Sequence, residues 1–144
     1  MKNNNIRLLA CLALALLVSA CASQNLVLAP DTKSGDQLKM EYMVGKWCTN
    51  RDITSQTNKD AGQSALSNLS QEFWRFNEGG EWENAESGWI YSNYGKWQLD
   101  GLNTMVLERL KGKPKSYLAN FKNEGADLYL EDEDRKFLVL SRCE

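Results

Sequence analysis

Histidine is absent from all 144 residues. Its absence removes serine–histidine and cysteine–histidine nucleophilic pairs, histidine zinc ligands and a histidine general base. There is also no phosphate-binding glycine loop and no Gly-x-Ser-x-Gly elbow. Together these absences point away from an enzyme, and no cofactor or metal is called for. Basic residues are not in excess, 17 Lys and Arg against 19 Asp and Glu, and no basic stripe runs along the chain, so nucleic acid is not expected as a partner. Only one apolar run is long, the eleven residues Leu8–Val18, and a spanning helix needs roughly 20. Proline occurs twice, and glycine not at all before residue 35. All ten glycines then punctuate short apolar runs, which favours β structure over helices. The length fits one domain.

The apolar run follows Lys2 and Arg7 and ends in Val18-Ser19-Ala20-Cys21. That layout is a secretory signal, and its end resembles the cleavage box of bacterial lipoproteins. The resemblance implies that residues 1–20 are removed and that Cys21 becomes the acylated, palmitate-type membrane anchor; the alternative is a plain signal with Cys21 incidental. Cleavage moves the formal charge from −2 to −4, since Lys2 and Arg7 are the only charges removed. Ala22 after the cysteine, by similarity to enterobacterial sorting, favours the outer membrane, with its periplasmic or surface face left open. Cys11 would then leave with the signal and Cys21 would carry lipid. Cys48 and Cys143 are left as the two thiols of an exported domain, with one possible disulfide; two reduced buried cysteines are the alternative. Residues 21–37 read as anchor and tether, with an r.m.s. reach of about 20 Å, and residues 38–144 as the domain. Asp36–Met43 reads as two helical turns capped by Asp36 or Ser34.

Strand signals follow at 44–53, 69–77, 80–86, 89–99, 102–110, 115–123, 126–132 and 135–143, with Thr54–Asn68 as a long loop or short helix between the first two. Asp100-Gly101 is a two-residue hairpin signal. It pairs Leu99 with Leu102 and Trp97 with Thr104, and sets Trp97, Leu99, Leu102 and Val106 on the inner face. Met105 and Leu107 then fall outside and Glu108 inside, so a bulge near 105–108 is expected. At the ends of this region, parity puts Trp47 and Arg142 on one face and Cys48 and Cys143 on the other. The fold class that results is all-β: an eight-stranded antiparallel up-and-down barrel with a short helix before its first strand, closed where the first and last strands meet.

Gly45-Lys46-Trp47 resembles the Gly-x-Trp signature of lipocalins and fatty-acid-binding proteins. Phe76-Asn77-Glu78-Gly79-Gly80 and Gly95-Lys96-Trp97-Gln98-Leu99-Asp100-Gly101 resemble steps in small bacterial lipocalin-like lipoproteins. The likeness spans roughly residues 38–144. It implies that Arg142 packs over Trp47 to close the barrel and that the interior holds a small apolar or amphipathic ligand.

Residues 73–97 hold eight of the fourteen aromatics. Trp74, Phe76, Trp82 and Trp97 are the candidate ligand-binding residues; as plain barrel core they would fill the same space. Glu131-Asp132-Glu133-Asp134 could hold a hard cation, though it lacks the spaced-acid pattern and reads more simply as a solvated turn. Glu81, Glu83 and Glu86 beside Trp82 and Trp89 could form a glycosidase-like pair, but alternation turns Glu81 and Glu83 outward. The first functional expectation is a lipid-anchored envelope protein that binds a small hydrophobic molecule. The second is an envelope interaction or inhibitor module with a filled barrel, gripping a protein through loops such as Thr54–Asn68.

Overall fold

In a computed structural model of the chain, residues 27–64, 71–86 and 91–143 are described. The signal segment 1–20, Cys21 and Trp89 lie outside them. The eight strands are β1 (Gly45–Thr49), β2 (Gln71–Phe76), β3 (Glu81–Glu86), β4 (Tyr91–Asp100), β5 (Thr104–Arg109), β6 (Lys115–Lys122), β7 (Asp127–Glu131) and β8 (Phe137–Arg142). Each pairs antiparallel with its sequence neighbours, and β1 pairs with β8, so the sheet is a closed up-and-down barrel. A single helical turn, α1 (Met40–Met43), precedes β1, and a longer helix, α2 (Arg51–Asp60), follows it.

Three expectations are corrected. The first strand stops at Thr49 instead of running to residue 53, because Asn50 caps α2: its side chain accepts from the Ile53 amide at 3.0 Å. The two turns expected over Asp36–Met43 shrink to one. At Lys39 the chain is still extended (φ −110°, ψ 140°), and the amide of Leu38 donates to the Leu102 carbonyl at 2.8 Å instead of to a helical partner. The β4–β5 connection has three residues, 101–103, since Asp100 faces Thr104 and Trp97 faces Leu107. Moving the register by one residue exchanges the faces. Met105 and Leu107 are therefore buried with Trp97, while Leu102 is exposed, and β5 is regular through 105–108. The irregularities lie in β2 near Gln71 and Phe73 and in β3 near Asn84 and Ala85.

At two places where a strand edge outruns its partner, the edge is filled by chain without strand pattern. On β8, pairing with β1 reaches only Thr49 opposite Leu140. Beyond it, Thr54 Oγ1 of α2 accepts from the Val139 amide (2.9 Å), Asn58 Oδ1 accepts from the Phe137 amide (2.9 Å), and Asn58 Nδ2 donates to the Phe137 carbonyl (2.7 Å). Thr54 and Asn58, four residues apart on one helix face, are both fully buried. On β6, pairing with β5 ends at Leu118 opposite Thr104. There the Thr32 amide donates to the Phe121 carbonyl (2.9 Å) and Thr32 Oγ1 accepts from the Phe121 amide (2.7 Å).

Residues 29–37, expected as tether, are thus a strap bound to the barrel wall. Ala29 is buried against Gly125, whose φ is +80° and where a Cβ would stand 2.5 Å from the Ala29 carbonyl oxygen. Packed structure begins at least as early as Ala29.

Candidate functional site

Alternation in β2, β3 and β4 turns Trp74, Phe76, Trp82 and Trp97 into the barrel, where they are between 1 and 5 % exposed. The four rings touch in sequence: Trp74 stacks on Phe76 (centroids 6.4 Å) and on Trp82 (5.8 Å), and Phe76 meets Trp97 edge-on (5.6 Å). All three indole N–H groups are satisfied within the protein. Trp74 Nε1 donates to Thr49 Oγ1 (3.2 Å), Trp82 Nε1 to the Glu108 carbonyl (3.0 Å) and Trp97 Nε1 to the Asn77 carbonyl (3.2 Å). A buried indole without such a partner would carry a desolvation penalty. The structure therefore brings the four candidate residues together as one interlocked, internally bonded column.

The end of the barrel that carries α1 is capped. Trp47 is fully buried and its Nε1 donates to the Met43 carbonyl at 2.8 Å. Arg142 sits directly opposite it in register, with Cζ 3.8 Å from the ring centroid. Its Nη1 donates to the Val44 carbonyl and its Nη2 to the Tyr42 carbonyl, both at 2.6 Å. One guanidinium thus ties α1 and the start of β1 to the last strand. Burial pushes its pKa down to about 10, so it stays charged near neutral pH. Gly45 makes room for it: φ there is +125°, and a Cβ would lie 2.5 Å from Nη1. On the outer face Cys48 and Cys143 form a disulfide, Cα–Cα 5.6 Å.

At the opposite end, the far rim, lie α2, the β5–β6 loop 110–114 and the β7–β8 turn 132–136. An open recess of about 550 Å³ runs along the outer wall of β5–β7, lined by Ser34, Thr104, Ser116, Tyr117, Leu118 and Glu131 among others. None of the four interior aromatics lines it. Burial raises the Tyr117 phenol above its usual pKa; nearby Arg109 opposes this and Asp132 adds to it. Glu131–Asp134 are not gathered around a shared point: Asp132 Oδ1 accepts from the amides of Asp134 (3.0 Å) and Lys136 (2.9 Å), and Glu131 pairs with Arg135. Among the described residues no group of three or more His, Cys, Asp or Glu is placed to hold a metal. Glu81 pairs with Lys96 (2.9 Å) and Glu83 with Arg75 (3.0 Å), both on the outer surface.

Sequence reasoning missed Thr54 and Asn58, because a polar stretch reads as loop until the bare β8 edge it serves is known. It also missed the strap residues Ala29 and Thr32. The signal for the strap was slight: one small residue, then a hydroxyl, in a segment otherwise polar.

The fold and its capped end define a closed eight-stranded up-and-down barrel with an aromatic interior and a disulfide beside the seam between its first and last strands. No family model, no curated protein and no solved structure matches the chain.

Proposed function

We propose that this chain is a bacterial envelope lipoprotein whose lipocalin-like barrel is filled, and which acts as an interaction or inhibitor module instead of a carrier or an enzyme. One observation carries the reading. Trp74, Phe76, Trp82 and Trp97, the residues best placed to greet a guest, are spent on one another, and each indole N–H is already bonded inside the protein. A ligand entering there would have to displace rings from a close-packed core, which resists volume change. The address, an outer-membrane anchor through acylated Cys21, rests on Leu8–Val18 and the Val18-Ser19-Ala20-Cys21 box. The absence of histidine from the chain supports a role without catalysis.

On this reading the partner-facing elements are the far-rim loops and the outer side of α2, where Arg51, Asp52, Ser55, Gln56, Lys59 and Asp60 are all exposed. The test is a titration of tryptophan emission with fatty acids, lysophospholipid, haem and small aromatic compounds. The expected result is no saturable change with any of them. A saturable change that Trp97→Ala weakens would overturn the filled-barrel reading and establish a carrier of apolar or amphipathic molecules.

A further inference from the structure

We infer that the capped end of the barrel is a membrane-docking face, which rests in the headgroup layer of a phospholipid bilayer through Val27, Leu28, Met40 and Leu102. The inference rests on the reading of Cys21 as the acylated residue. Among the described residues seven large apolar side chains are exposed, and four of them belong to this end: Val27 (42 %), Leu28 (53 %), Met40 (42 %) and Leu102 (49 %). Their placement is fixed by neighbours that face inward. Leu28 precedes buried Ala29, which is seated on Gly125 in the β6–β7 turn. Leu102 is the middle residue of the β4–β5 loop, and its carbonyl holds the amide of buried Leu38, two residues before Met40. The core contacts of these segments are thus made by Ala29, Leu38 and Met43. Nothing inside the barrel accounts for the four residues that point away from it.

Chain length selects the occupant. Only five residues, 22–26, separate Cys21 from Val27. At no more than about 3.6 Å per residue, the step from Cys21 to Val27 spans about 20 Å at full extension. An acyl chain on Cys21 therefore holds this end, and not the far rim, against the bilayer. Apolar side chains on such a face settle at the boundary between headgroups and acyl chains. Four side chains would bind weakly alone, and the anchor makes the contact intramolecular. Charge adds little: Lys33 and Lys39 are offset by Asp31, Asp36, Glu41 and Glu124 at the same end. Docking should accordingly need neither anionic lipid nor low salt.

The test uses the lipidated protein in phosphatidylcholine vesicles whose acyl chains carry bromine, a contact quencher of tryptophan. Leu102→Trp adds a reporter at the capped end and Leu110→Trp one at the far rim. The added emission of Leu102→Trp should be quenched at least about twofold more than that of Leu110→Trp, unchanged by molar salt. Leu28→Asp with Met40→Asp should lower the quenching while the protein still floats with the vesicles. Flotation with equal quenching at both reporters overturns the docking face and leaves the anchor standing. In Cys21→Ala, loss of both flotation and quenching is expected. Retention of both would overturn the anchor while supporting the face, and a lipidated protein that fails to float would overturn both.

Discussion

Arg142 does three jobs at once: its plane covers the Trp47 ring, and two of its nitrogens hold the carbonyls of Val44 and Tyr42. A partly desolvated stack of this kind is worth up to about 2 kcal/mol, and hydrogen bonds from a charged group about 1.5–3 kcal/mol each, without simple additivity. Arg142→Ala should therefore cost about 3 kcal/mol in urea denaturation. Arg142→Lys should recover less than half of that, because an ammonium lacks the planar fork. Gly45→Ala should be damaging for a different reason, since it puts a methyl 2.5 Å from Nη1 and strains a backbone at φ +125°. If Arg142→Ala unfolds within about 0.5 kcal/mol of the parent, the guanidinium is not what holds the cap. That Trp47 and Arg142 share a face was legible from parity alone. That Arg142 also serves two carbonyls was not, because backbone acceptors look the same in every sequence.

At the scale of elements, an exposed run of strand amides and carbonyls is a liability that folds pair or cover. Here α2 serves the β8 edge largely through Thr and Asn side chains, and the strap serves β6 through both the amide and the hydroxyl of Thr32. Thr54→Val keeps the shape of the side chain but strands the buried Val139 amide, at an expected cost of about 1–3 kcal/mol. Asn58→Ala should do the same at Phe137. Hydrogen exchange is the sharper measurement: the Phe137 and Val139 amides should lose protection while those in β3 and β4 keep theirs. Protection unchanged at both positions would mean that water, or strand pairing, serves that edge. The strands themselves were readable to within a few residues, because alternation and glycine turns are local signals. The β4–β5 loop was misread by one residue on a local signal as well, Asp100-Gly101. The discomfort of Met105 and Leu107 outside and Glu108 inside pointed to that error, and the remedy was a longer loop instead of a bulge. The partners of α2 and the strap depend on residues some 80 or more positions away, which no window along the chain contains.

For the whole molecule, the Cys48–Cys143 bridge closes a loop with a separation of 95 residues. Chain-entropy reasoning assigns such a loop on the order of 4–5 kcal/mol, so Cys48→Ser with Cys143→Ser should lower the thermal midpoint by well over ten degrees, at roughly 4–8 °C per kcal/mol. A double variant that melts within about two degrees of the parent would show that the seam is held by β1–β8 pairing and the Trp47–Arg142 contact alone. The same seam sets a timetable. A chain crossing a membrane from its N-terminus delivers Trp47 and Cys48 first, and their partners Arg142 and Cys143 only after every other strand has emerged. Until then β1 has half its hydrogen-bonding edge open and the aromatic column has no lid. On the export proposed above, the late arrival of residues 137–143 makes this barrel a structure assembled after transport, not during it, and leaves Cys48 without its partner for the whole interval, open to oxidative pairing with another thiol.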